Sequence, residues 1–94
     1  MPSLFIETLV FDETNRAKLR RHRVTLRELY EVLDDDPKAM RNHSKGAAPW
    51  IVMGLTLRGR LLTLPLDPTA EEGAWRPRTG YDSSSKEKRR YASE

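Results

Sequence analysis

The 94-residue sequence has no cysteine. That removes disulfides and thiolate zinc sites together and fits a reducing compartment. It has no apolar run of about 18 residues, and the opening MPSLFIETLVFDE lacks both a basic start and a cleavage site. A cytoplasmic protein with no membrane span and no signal peptide is therefore expected. GxGxxG, a Walker loop, HExxH and GxSxG are absent as well, so nucleotide-cofactor, zinc-protease and hydrolase readings have no support. His22 and His43 lack metal-ligand spacing, and the consecutive Asp34, Asp35 and Asp36 do not converge on a cation from a helix. Neither a metal nor a cofactor is expected.

What is present is charge. Apolar residues make up 37% and charged residues 33%, enough for one domain over residues 1–94 with a heavily charged exterior. A chain this short buries only about two thirds of its extended surface, which limits it to one modest core. The net charge of +3 is less informative than its distribution. Arg16, Lys18, Arg20, Arg21, Arg23 and Arg27 form one basic block, and Lys86, Lys88, Arg89 and Arg90 form another. Acid gathers between them in Glu28, Glu31, Asp34, Asp35 and Asp36. Clustered bases beside a separate acidic patch suit an anionic partner on one side, or a solvated helix face.

Leu4–Phe11 (LFIETLVF) reads as a strand, and Asp12 as the cap of a surface helix running through Arg23. Thr25 with Glu28 forms a capping box, and Val24 with Leu29 sits at staple spacing. Leu26, Leu29, Tyr30 and Leu33 then make a helical apolar stripe, which Asp36-Pro37 ends. Lys38–Ser44 reads as a weak strand. Trp50–Leu57 and Arg60–Leu66 read as a tight hairpin about Arg58-Gly59. Pro65 cannot donate to a ladder, which predicts a frayed or edge position. Ala74–Tyr81 reads as a last strand interrupted by Pro77, and Ser84 with Glu87 opens a short basic helix. Helices segregated against an antiparallel sheet of three to five strands define an α+β domain with two N-terminal helices and a short C-terminal one. Its predicted core is Leu26, Leu29, Tyr30, Leu33, Ile51, Met53, Leu62, Leu64 and Trp75.

Period-2 alternation in the last strand places Arg76 and Arg78 on one face, opposite Trp75, Pro77, Thr79 and Tyr81. Arg58 and Arg60 flank the hairpin turn. Pairing of the two strands would gather these guanidiniums, whose planar forks suit phosphate oxygens. Arginine at hairpin ends and edges also serves solubility, and both readings stand at this point.

The order and spacing of these segments resemble the BrnT toxins, ribonucleases with a RelE-like fold from bacterial type II toxin–antitoxin systems. The likeness rests on LVFDETNRAKL, on Arg21-His22-Arg23-Val24-Thr25 with LRELYEVLDD, on IVMG, on Gly59-Arg60-Leu61-Leu62, and on Arg76 through SKEKRRY. It covers about residues 7 to 91 through short motifs. The resemblance implies a metal-free endoribonuclease toxin that directs a 2′-hydroxyl at the adjacent phosphate. It also implies a cognate antitoxin as partner and mRNA, free or on the ribosome, as target. Arg60 and Arg76 would stabilise the charge that develops at phosphate. Tyr81 and His43 are the proton-transfer candidates, and Arg58, Arg78, Lys86 and Arg89 would bind RNA. Three departures stand out. Arg23 replaces the usual glycine, which predicts an altered turn; Pro65 and Pro77 interrupt strands; and Tyr81 occupies the place of an arginine. Tyrosine can donate a hydrogen bond but cannot clamp phosphate. A toxin-like fold that binds RNA or protein without chemistry is the alternative.

Overall fold

The computed structural model describes residues 4–94; the three residues that open the N-terminal stretch read above lie outside them. In chain order the elements are β1 (Thr8–Leu9), α1 (Glu13–Arg21), α2 (Leu26–Asp34), β2 (Lys38–Arg41), β3 (Trp50–Leu55), β4 (Leu61–Pro68), β5 (Ala74–Pro77), β6 (Tyr81–Asp82) and α3 (Ser85–Ser93). The fold is α+β, but its sheet is mixed and has six strands. The path β1-β5-β4-β3-β2 carries β6 as a third partner of β4, beside β5 on the same edge, and β1 runs parallel to β5. The antiparallel sheet of three to five strands is corrected on both counts. The expected Leu4–Phe11 strand pairs only at Thr8 and Leu9, because the chain must leave the sheet to reach the Asp12 cap.

Leu62, Leu64 and Leu66 of β4 point to one face, where they meet Leu19, Leu29 and Val32 from the helices and Val24 from the turn between them, with Ala39 and Val52 beside them. The other face buries Met40, Met53, Thr63 and Ser83, and the Thr63 and Ser83 hydroxyls bond at 2.7 Å. α3 borders it without burying a residue of its own: Lys38 Nζ donates to the Tyr91 carbonyl at 2.6 Å, and Arg90 to that of Arg41. Of the predicted core, Leu29, Met53, Leu62 and Leu64 are fully buried, whereas Leu26, Leu33, Ile51 and Trp75 are half-buried. Tyr30 is exposed and meets Phe11 edge to face. Val32, not Tyr30, completes the buried stripe of α2.

Pro65 is neither frayed nor at an edge, since β4 lies in the middle of the sheet. Between the pairs Leu66↔Pro77 and Thr63↔Tyr81, residues 78–80 face only residues 64–65, which is a bulge. Pro65 lies opposite this interruption, where its carbonyl accepts from Arg78 N–H at 2.9 Å. In an antiparallel strand a residue's N–H and C=O point the same way, so the missing donor falls where the ladder is already broken. The bulge also divides the single Ala74–Tyr81 strand expected from sequence into β5 and β6.

The turn between α1 and α2 keeps a glycine-type form despite Arg23. Val24 N–H donates to Leu19 O and Arg23 N–H to Arg20 O, the two bonds of a Schellman motif, and Arg23 takes φ +57°. The expected altered turn is therefore corrected: the turn takes the form usual for glycine, carried by a strained arginine. Burial of Val24 and Leu19 together supplies the apolar contact that holds it.

Candidate functional site

All three helices begin with a capping box, which fixes the acidic partners of the site. Asp12–Asn15, Thr25–Glu28 and Ser84–Glu87 exchange side-chain to backbone bonds. The first was not foreseen as a box, because asparagine stands where Glu or Gln is usual. Asn15 is fully buried; its amide also donates to the carbonyls of Val10 and Pro77, tying α1 to the residue that follows β1 and to the end of β5.

Arg60 stands where the hairpin, the α1–α2 turn and β6 meet. Its Nη1 donates to the Arg23 carbonyl at 2.8 Å and to Glu28, whose Oε2 lies 3.2 Å away. Its Nη2 donates to the His22 carbonyl at 3.1 Å and to Asp82 Oδ2 at 3.0 Å, and its Nε to Asp82 Oδ1 at 2.6 Å. Burial pushes the Glu28 carboxyl up, but the Thr25 N–H and Arg60 outweigh it and hold it below its ordinary value. Asp82 is held down by Arg60 first, and by Lys88 and His22 alongside.

Arg76 and Arg78 are separately committed. Arg76 forks onto Asp12 at 2.7 and 3.2 Å, and this bond chiefly pulls the Asp12 carboxyl down to about 2. Arg78 forks onto Asp67 at 2.7 and 3.1 Å and donates to the Gly46 carbonyl at 2.9 Å, pinning the β2–β3 loop. The expected gathering of four bare guanidiniums on the sheet is thus replaced by three arginines held by carboxylates, Arg76 and Arg78 by one each and Arg60 by two. Tyr81 donates to Glu87 Oε2 at 2.8 Å, and burial, then Glu87, pushes its phenol well above the usual range. It is a donor here, not a phenolate. His43 lies exposed in the β2–β3 loop, and Lys86 and Arg89 lie exposed on α3. The structure brings none of these three to Arg60.

The uncompensated cations lie elsewhere. A groove of about 610 Å³ is lined by Arg23, Arg27, Arg58 and Arg60, with Glu28, Glu31 and Leu57. Its hairpin wall is a three-residue loop closed by Thr56 N–H on the Arg60 carbonyl, with Gly59 at φ +82°. Glu31 Oε1 accepts from Leu57 N–H at 3.1 Å, which holds the loop against α2. Arg23, Arg27 and Arg58 form no ion pair among the described residues, whereas both groove carboxylates have partners. His22 was not foreseen as a site residue; its ring centroid lies 5.9 Å from that of Tyr81. Its place on the RHRV turn before Thr25 was the available signal.

Fold and site together define a small α+β domain with a basic groove beside a buttressed arginine. No protein-family model matches the chain, and no curated protein shows a significant match to it. Among the described residues, no helix is long and apolar enough to cross a membrane, and no group of three or more His, Cys, Asp or Glu could hold a metal ion.

Proposed function

We propose that this protein binds RNA through the Arg23–Arg27–Arg58–Arg60 groove, as a BrnT-like, RelE-like toxin-type module of the cytoplasm. The observation that carries the reading is the contrast in charge pairing. Arg60, Arg76 and Arg78, in or beside the strands, face carboxylates, while the other three arginines of the groove, Arg23, Arg27 and Arg58, do not. Bare, clustered guanidiniums repel one another and gain from a phosphate backbone laid between them. The unpaired Arg20 and Arg21 extend the basic surface from the C-terminal turn of α1. The partner that governs such a module would be a cognate antitoxin able to cover the groove, and the RNA would be mRNA, free or on the ribosome.

Fluorescence anisotropy with a single-stranded RNA, repeated across salt concentrations, tests this. The triple variant Arg23→Gln, Arg27→Gln, Arg58→Gln should weaken binding and reduce the salt slope by about two, since each single-strand phosphate contact contributes about 0.7. An unchanged slope would place the RNA elsewhere.

A second reading, metal-free cleavage by 2′-hydroxyl attack, is favoured by one observation: Arg60 is rigidly braced beside His22 and Tyr81. In it Arg60 stabilises the phosphate, and His22 replaces the distant His43 as the proton acceptor. Intact RNA after prolonged incubation with the wild type, ribosomes included, would leave binding alone.

A further inference from the structure

We infer that Asp82 occupies an exchangeable oxyanion seat on Arg60, and that the phosphate group of an incoming nucleotide or RNA takes its place. The inference rests on the RNA-binding reading only for where the phosphate comes from.

Three arginines of this protein hold a carboxylate through the Nε–Nη2 edge, the edge that recognises two oxygens at once. They differ in what the carboxylate would lose on leaving. Asp12 caps α1 through Asn15 N–H, so its departure would cost the helix its cap as well as the ion pair. Asp67 is only 25% exposed and lies within β4, opposite Arg76 in the register. Asp82 is 65% exposed and has no side-chain partner besides Arg60 among the described residues. It sits in a two-residue strand whose register with Leu62 is a matter of backbone alone. Asp82 is therefore the carboxylate that can swing out to water at least cost.

Arg60 would not follow it. Nη1 remains on Glu28 and the Arg23 carbonyl, and Nη2 on the His22 carbonyl. With Asp82 gone, the guanidinium, 25% exposed in the pair, stays held from behind and its Nε–Nη2 edge opens to solvent. A fork held in advance loses little freedom when an oxyanion binds. Phosphate fits the seat better than a second carboxylate does. Two of its oxygens take the fork, and the others can meet Lys88 and His22, which already act on Asp82 from alongside. Asp82 thus sets a threshold: an anion must outcompete it to reach Arg60.

The test follows the Arg60 Nε–H resonance during titration with inorganic phosphate, acetate, and a short oligouridylate. Phosphate should shift this signal at lower concentration than acetate does. Asp82→Asn should tighten phosphate about three- to fivefold, the scale on which an exposed ion pair competes. Arg60→Lys keeps the charge without the fork and should lose the preference for phosphate over acetate. A folded Asp82→Asn protein whose phosphate affinity equals that of the wild type would overturn the seat. Should that variant fail to fold, a wild type that takes acetate as readily as phosphate overturns it equally. If phosphate responds to Asp82→Asn but the oligouridylate binds no more tightly than phosphate itself, the seat stands and the RNA reading falls. If the oligouridylate binds through the groove and ignores Asp82→Asn, the seat falls and the RNA reading stands.

Discussion

Arg23 shows how a single residue serves stability and charge in opposite directions. It takes φ +57°, a region that costs a side chain with a Cβ roughly 1–2 kcal/mol, and it does so in a motif where glycine is the usual occupant. Its guanidinium in return lines the groove. Arg23→Gly should raise the unfolding free energy by up to about 1 kcal/mol in a urea titration, because the strain is relieved while glycine loses more backbone freedom on folding. The same variant should bind single-stranded RNA more weakly than the wild type. A variant that is less stable would mean that Arg23 contributes contacts exceeding its strain. The residue scale is also where sequence reading fell shortest. Arg60, Arg76 and Arg78 were legible as arginines, but their carboxylates lie 22, 64 and 11 positions away in the chain. No local pattern couples residues so far apart; the strand register and the cap of α1 do. Reading the sheet arginines as bare followed from knowing the strand and not its neighbours.

At the scale of elements, sequence was most informative where the signal is local. The boxes Thr25–Glu28 and Ser84–Glu87 place the starts of α2 and α3, since both partners lie within one turn. The hairpin of β3 and β4 and its Gly59 turn were legible for the same reason. β1 in parallel on β5, and the bulge opposite Pro65, were not, because both depend on how distant strands align. The close seating of α2 on the sheet depends on Gly54 in β3. A Cβ there would lie 2.9 Å from Val32 Cγ1 and 3.3 Å from the Val32 carbonyl oxygen. The second contact is backbone and cannot rotate away. Gly54→Ala should therefore cost about 1–3 kcal/mol, as overpacking of a filled core does. It should also shift α2, and with it Glu28 and Arg27, relative to the hairpin. A urea titration that finds less than about 0.5 kcal/mol of loss would show that α2 can retreat from the sheet freely.

For the whole molecule, the consequence of pairing its sheet arginines is a dependence on acid. The pI is about 9.5, so acidification adds positive charge to an already basic chain while neutralising the carboxylates that hold Arg60 and Arg76. Asp12 is depressed to about 2 in the folded state, chiefly by the Arg76 hydrogen bond, from an ordinary value of 3.8. Glu28 and Asp82 are depressed as well. A carboxyl whose folded pKa lies below its unfolded one stabilises the fold above the unfolded value. That contribution fades as pH falls toward the folded pKa and is gone below it. Stability from these three groups should accordingly be flat from neutrality to about pH 5 and decline between about pH 4 and 2. Urea midpoints across that range should show the decline. The Asp12 carboxyl, followed by NMR, should titrate near 2 in the wild type and move up toward 3.8 in Arg76→Gln. The same variant should lose part of the acid dependence, because its Asp12 no longer differs as much between the folded and unfolded chains. A wild-type Asp12 titrating at the ordinary value would mean that Arg76 is not held on the cap. It would then be a fourth guanidinium released to bind phosphate, and the contrast between a paired sheet and a bare groove would lose one of its three supports.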